Sequence, residues 1–377
     1  MAPSKVYYLS ARATKWSYKK SLAGRFEAFL RRLPVARFIK KKEPVAIKTH
    51  FGSEGAHRVV RPLFIRKVVE AVREAKGKPF VTDTVRIKGL DYLEVANQNG
   101  INALSCGAPV LLADGIFGND NVSVPSGREQ GEVLVASAIH DVPSMMVLSH
   151  FKGHFNAGVG GAIKNLAMGG LSGSSRNHDW KHGRGGMHAF VGGELKWNRD
   201  LCSRCNQCVE VCPLFACTFE NELFTYNNKK CWRCGRCVRV CPEQALDLPT
   251  DEERFHRGLA ESTRAVLSTF GKNRVLYMNF LLEIQPECDC MPAADVPVIQ
   301  DLGILVSEDV VAVDQASIDL LRKSPPLPGS AAEDKGIRKG EDIMLRLHDI
   351  DGQKQIDAAF ELGLGNKEYV LVEEGNG

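Results

Sequence analysis

The sequence predicts an α/β fold: a mostly parallel sheet with helices on both faces, interrupted by a small cysteine-rich module. Three observations predict it. Short β-rich runs alternate with segments of helical period; the alternation stops over a passage carrying nine of the twelve cysteines, eight of them in two spaced runs; and it resumes in the same style after Leu248. With 377 residues, 44% hydrophobic and 25% charged, the composition is that of an ordinary globular protein. The expected organisation is residues 1–197 as the first part of the α/β domain, 198–249 as the module, and 250–377 as the second part.

In chain order, residues 6–9 read as a strand. Residues 15–42 are strongly basic, with Tyr18, Leu22, Phe26, Phe29, Leu30 and Leu33 at helical spacing. Such a helix packs its apolar face on the body or docks on an anionic surface or an acidic electron carrier. Residues 45–49 read as strand, and 62–76 as helix, opened by Pro62 and stopped by Gly77. Strand at 80–83, helix at 91–98, strand at 110–114, helix at 133–139 and strand at 145–150 follow. Beyond the module come a helix at 252–270, a strand at 275–280, β-rich runs at 298–301, 304–306 and 310–313, a surface turn at 325–330 and a closing strand at 367–373.

The 49 basic residues nearly balance the 45 acidic ones, so charge marks no nucleic-acid partner. No uninterrupted apolar run reaches the length of a membrane span; the best, 132–151, is broken by His140 and Asp141. With no signal peptide recognised and cysteine spacings that need free thiolates, the expected location is cytoplasmic.

In parallel sheets ligands bind beyond the carboxyl ends of the strands. His50, Asp83, Asp114 and His150 each close a β-rich run, so independent strands deliver ionisable groups to one edge. Asp301 and Asp314 close later runs and are expected at the same edge. After His150 come Lys152 and His154, a second proton carrier and a cation. Gly158, Gly160 and Gly161 then precede Lys164 and Asn165. Glycines there let backbone amides approach an anion, and a helix starting near Ala162 adds its positive end. The expected catalytic set is His50, Asp83, Asp114, His150, Lys152 and His154, and the expected binding set for a small anionic substrate or cofactor is Gly158, Gly160, Gly161, Lys164 and Asn165. The segment 169–193, with Arg176, His178, His182, Arg184 and His188, reads as a lid. His178 and His182 are spaced for a metal on a helix, although the glycines around them oppose that helix.

Cys202, Cys205, Cys208 and Cys212 before Pro213 spell C-x2-C-x2-C-x3-C-P, and Cys231, Cys234, Cys237 and Cys241 before Pro242 repeat it. This is the bacterial ferredoxin-type spacing for two [4Fe-4S] clusters, in which the fourth cysteine of each run ligates the other cluster. One cluster is expected on Cys202, Cys205, Cys208 and Cys241, the other on Cys231, Cys234, Cys237 and Cys212. Zinc sites do not use such triplets. Cys217 reads as a core residue. Cys288 and Cys290, flanking Asp289, are candidates for a further metal or for a thiol pair.

Residues 150–169, the cysteine runs, residues 287–290 and the segments 301–303 and 309–316 together resemble the DUF362 iron–sulfur proteins over nearly the whole chain from Val45. The resemblance implies an α/β body with an inserted ferredoxin pair and supplies no reaction. Residues 157–164 are also similar to the glycine-rich lysine segment of nickel-pincer lactate racemases, a family that departs elsewhere and lacks the cysteine runs. That similarity implies a cofactor-anchoring Lys164, with His150 or His154 as acid/base groups.

The expected function is an iron–sulfur oxidoreductase exchanging single electrons with a carrier such as a ferredoxin or flavodoxin and serving the strand-end site. The alternatives are a non-catalytic electron-transfer protein and a metallocentre assembly or metal-delivery protein.

Overall fold

In the computed structural model one sheet of eight strands organises the chain: β1 (Ser4–Ser10), β2 (Pro44–Lys48), β3 (Lys78–Asp83), β4 (Val110–Leu112), β5 (Ser144–His150), β6 (Val275–Leu281), β7 (Gly303–Ser307) and β8 (Tyr369–Glu373). The structure describes all residues except 1, 34, 87–88, 130, 178–181, 189–193, 213, 232, 250 and 375–377. The strand order is β8-β1-β7-β6-β5-β2-β3-β4. Every neighbouring pair is parallel except those made by β7, which runs against both β1 and β6. The mostly parallel α/β fold is as expected.

The middle of the sheet is buried on both faces, which is why β5 and β6 read as nearly continuous apolar runs. Successive side chains point to opposite faces, and the two cores divide accordingly. Ile47, Leu148 and Leu276 join one core with helices α1 (Leu22–Arg32), α2 (Pro62–Glu74) and α3 (Gly89–Gln98). Ala46, Val147 and Tyr277 join the other with α4 (Ala162–Gly169), α5 (Glu252–Ser268), α6 (Val310–Lys323) and α7 (Gln353–Glu361).

The basic segment packs on the body. Its Phe26, Phe29, Leu30 and Leu33 are buried, and at roughly 2 kcal/mol for each fully buried large apolar side chain that face is committed to the core, not to an anionic surface. No described helix is long and apolar enough to cross a membrane.

Four expectations are corrected. Residues 133–139 form a strand, Glu132–Ala136, hairpinned with Asn121–Pro125 and followed by a single helical turn. Residues 310–313 open α6, because Asp309 accepts the amides of Val311 and Ala312 and caps the helix. Residues 298–301 form no strand. The strand expected at 110–114 ends at Leu112.

The cysteine-rich segment leaves and rejoins the body at one place, where Lys196–Trp197 pairs antiparallel with Leu246–Asp247. Between them lie the hairpin Cys217–Glu220 with Leu223–Tyr226 and two short helical turns, Gln207–Glu210 and Arg236–Val240. Left-handed residues fall at matching places in and just after each cysteine run: Arg204 with Arg233, Asn206 with Gly235, Phe215 with Gln244.

Candidate functional site

The carboxyl ends of β2, β3 and β5 open onto a cleft of about 720 Å³, lined by residues that include Lys48, His50, Asp83, Arg86, His150, Lys152, His154, Gly160, Gly161, Lys164, Asn165, Arg184, Asp289 and Cys290. Most of the expected site is therefore brought together.

One side of the cleft is organised by Asp83, at the last position of β3. Its Oδ2 accepts from the Tyr92 hydroxyl at 2.6 Å and lies 2.9 Å from His50 Nδ1, while Oδ1 pairs with the buried Lys48 Nζ at 2.8 Å. Burial opposes the charge, but Lys48 and His50 hold the Asp83 carboxyl far below the usual carboxylate range. Lys48 also donates to Asn165 Oδ1 at 2.5 Å, and Asn165 donates to the Leu148 carbonyl and Ser149 Oγ. With Nδ1–H on the carboxylate, His50 Nε2 carries the lone pair. That atom is buried and has no hydrogen-bond partner among the described residues. Burial lowers the His50 pKa, against the pull of Asp83.

Asp289 organises the other side. Its Oδ1 lies 2.8 Å from His150 Nδ1 and its Oδ2 pairs with Lys152 Nζ at 3.0 Å; Gln285 donates to it as well. Although burial opposes ionisation, His150 and Lys152 hold the Asp289 pKa at about 2. His150 Nε2 faces the Leu282 carbonyl at 2.9 Å, so both of its ring nitrogens are engaged by oxygens.

His154 is held differently. Its Nδ1 accepts the amides of Asn156 and Ala157, each at 3.1 Å, and its ring stacks on Phe155. Burial lowers its pKa to about 3, with the positive charge of Lys164 adding to the effect. Lys164 Nζ lies 3.5 Å from Cys288 Sγ, to which the Cys290 amide also donates at 3.4 Å. Burial alone would raise the Cys288 thiol, but the Cys290 thiol, Lys164 and His154 hold it well below the usual thiol range. Its hydrogen bond from Cys290, together with burial, pushes the Cys290 thiol well above that range.

Some expected residues lie elsewhere. Asp114 does not line the cleft; it accepts the amides of Val85 and Gly173, and burial pushes it up to about 6. Asp314 accepts the amides of Ala162 and Ile163 and caps α4, so the positive end of that helix faces a carboxylate of the chain itself. Asp301 is exposed and accepts from the Glu283 amide. Gly158, at φ +69, packs on Gly352 away from the cleft. In the segment read as a lid, Arg184 is buried and bonded to Thr84 Oγ1 at 3.0 Å, and Ser172 and Ser174 are buried against Gly118. His178 lies outside the described residues, and His182 is exposed. The sequence reading missed Lys48, Tyr92 and Arg86. The one legible signal was Lys48, a charge inside an apolar strand.

Two further cavities lie in the cysteine-rich segment. The walls of one include Cys202, Cys205, Cys208 and Cys241; those of the other include Cys212, Cys231, Cys234 and Cys237, with Cys217 beside them. All twelve cysteines are free of disulfides. The sulfurs of Cys212, Cys241 and Cys231 accept the amides of Ala216, Ala245 and Arg233 at 3.2–3.3 Å, contacts of the kind that orient and tune a metal-bound thiolate. The donor sets fit metal binding. Arg236, in the wall of the second cavity, donates to the Cys290 carbonyl, which also receives Arg86 from the cleft side. Arg239 from the same helical turn lies over the Phe155 ring at 4.2 Å and bonds the Phe155 carbonyl.

These features define an α/β protein with a polar strand-end cleft and a cysteine-rich, metal-binding type of segment packed against it. The chain belongs to the DUF362 family, described as a domain of unknown function, whose model matches residues 45–319. No curated protein matches it. Among solved structures, it is similar to the lactate racemase apoprotein from Thermoanaerobacterium thermosaccharolyticum at 10% identity, covering 74% of this chain and 51% of that one, with a TM-score of 0.33. A Thermotoga maritima protein solved by a structural genomics consortium matches at 8% identity, covering 92% of this chain and 61% of that one, with a TM-score of 0.37. The chain thus spans about half of the first and three-fifths of the second. Neither likeness bears on the reaction.

Proposed function

We propose that this protein is an iron–sulfur oxidoreductase that passes single electrons through two [4Fe-4S] clusters to or from the strand-end cleft, where a small anionic substrate binds. Residues 198–249 are read as a ferredoxin-like module inserted between residues 1–197 and 250–377 of one α/β domain. Cys202, Cys205, Cys208 and Cys241 hold one cluster, and Cys231, Cys234, Cys237 and Cys212 the other. When bound, such clusters supply electrons one at a time. A ferredoxin or flavodoxin is the expected exchange partner.

The observation that carries the reading is the position of Arg236, which forms part of the wall of one cysteine-lined cavity and bonds the Cys290 carbonyl at the cleft. A carrier alone has no use for a second, polar site against its cavity wall. In the cleft, Lys48, Lys152, Lys164, Arg86 and Arg184 outnumber the carboxylates among the described lining residues, Asp83 and Asp289, which favours an anion. Lys164 and the Gly160–Gly161 backbone hold it. Asp83 fixes the His50 tautomer, and His50 Nε2 accepts or returns a proton.

The test is anaerobic purification with iron and sulfide analysis, followed by dye-linked redox assays against a panel of small carboxylates and phosphates. About eight irons per chain are expected. His50→Ala and Lys164→Ala should keep that iron and lose turnover at least about a hundredfold. Iron well below eight, or full turnover in His50→Ala, would overturn the reading.

A further inference from the structure

Two cysteines at the cleft belong to neither run: Cys290 lines it, and Cys288 is buried just behind, against Lys164. Cys288 and Cys290 stand in one turn, closed by the bond from the Met291 amide to the Cys288 carbonyl at 2.8 Å. Their sulfurs and a ring nitrogen of His154 all lie within 4.8 Å of one another. A metal is the first occupant such a trio suggests.

The histidine argues against it. His154 Nδ1 faces two backbone N–H groups, so it carries the lone pair and Nε2 carries the proton. A neutral imidazole that binds metal through Nε2 needs its proton on Nδ1, where it would collide with both amides. His154 is thereby a hydrogen-bond donor to Cys288. Lys164 Nζ and the Cys290 amide point to the same sulfur. The donors converge on Cys288, whereas Arg86 and Arg236 grip the Cys290 backbone and hold the turn in place. One sulfur is built to be a thiolate and its neighbour to be a thiol, the asymmetry of an attacking and a resolving cysteine.

We propose that Cys288 and Cys290 form a redox-active dithiol–disulfide couple at the floor of the cleft, next to the cysteine-lined cavity that shares Arg236. In oxidation the Cys290 S–H bond breaks, the S–S bond forms, and one proton and two electrons leave. In reduction two electrons enter, the S–S bond breaks, Cys290 takes one proton from the cleft, and Cys288 is left as the thiolate. The couple takes its electrons from a low-potential one-electron iron–sulfur donor, a step that rests on the function proposed above. It collects two single electrons into one two-electron equivalent that can be delivered to a substrate in the cleft.

The test uses the full chain, purified without oxygen and equilibrated in buffers of reduced and oxidised dithiothreitol. Samples are acid-quenched, alkylated and read by peptide mass spectrometry, with iron and electron paramagnetic resonance measured on the same preparation. A Cys288–Cys290 disulfide should form in a single two-electron transition, its ratio changing tenfold per about 30 mV. His154→Gln, which changes a donor to the Cys288 sulfur, should lower the midpoint potential of that transition. Cys290→Ser, a near-isosteric change, should abolish the transition and leave Cys288 reactive. No disulfide at any poise, or both sulfurs shielded by a stoichiometric metal until a chelator is added, would overturn the proposal. If the couple titrates in protein that binds no iron, the couple stands and the proposed function fails; if about eight irons bind and no couple titrates, the couple fails and the proposed function stands.

Discussion

At the scale of single residues, the cleft is a set of buried charges that hold one another in place, and its chemistry depends on each keeping its partner. Asp289 is pulled down to about 2 by His150 and Lys152, against about 3.9 in an unfolded chain. A depressed carboxyl contributes stability that is fully present above about pH 4 and is lost as pH falls through about 2, here on the order of 2–3 kcal/mol. Asp289→Asn should therefore unfold at lower urea at pH 7, and its stability profile should be shallower below pH 4 than that of the wild type. Gly169 makes a different demand. A Cβ there would stand 2.3 Å from Lys48 Nζ and 2.9 Å from Asp83 Oδ1, atoms that are pinned to each other. Gly169→Ala should cost on the order of 1–3 kcal/mol, measured by thermal unfolding, and should disturb anion binding in the cleft. The residues that end strands were legible because strand ends are where a parallel sheet places its ligands. Lys48 left a trace in the sequence as a charge in an apolar strand, but Tyr92 left none, because a tyrosine on a helix gains meaning only once Asp83 is seen beside it. Asp114 closes a β-rich run just as Asp83 does, yet its strand stops earlier and its carboxyl is spent on two amides.

At the scale of elements, α4 carries Lys164 and Asn165 to the cleft, and its start is fixed from a distance by Asp314, a residue of α6. Asp314→Ala would leave two helix amides and the Asn279 side chain without this buried acceptor. The expected cost is on the order of 3 kcal/mol, read as a drop in unfolding midpoint, with faster hydrogen exchange at the amides of Ala162 and Ile163. The helix that carries this cap was itself hard to read. Four residues rich in valine look like a strand when taken alone; Asp309 and the apolar spacing that follows decide for helix. Residues 133–139 failed in the opposite direction, since a short apolar run does not distinguish the two periods and its hairpin partner, Asn121–Pro125, is too polar to announce itself. Longer periodic segments such as α2 and α5 were read within a few residues of their ends.

At the scale of the whole molecule, the cysteine-rich segment is fastened to the body by the pairing of its two ends and by the contacts of Arg236 and Arg239. Its buried Cys217, Phe224 and Leu246 share a core with the sheet, but no strand of the eight-stranded sheet comes from it. Removing the iron of the proposed clusters with a chelator should raise hydrogen exchange across residues 198–247 and leave the amides of β5 and β6 protected. Exchange that rises across the central strands would show that the body depends on the segment's metal. The sheet has a further property that comes from its order alone. β1 precedes the other seven strands in chain order, and its two neighbours, β7 and β8, are the last two of the eight. On the ribosome β1 emerges with neither edge covered and has no neighbour until Gly303–Ser307 has followed it. The strand of the sheet made first is thus among the last to be paired, so the nascent chain carries an open β edge while the other strands form, and one side of β1 stays open until Tyr369–Glu373 is made.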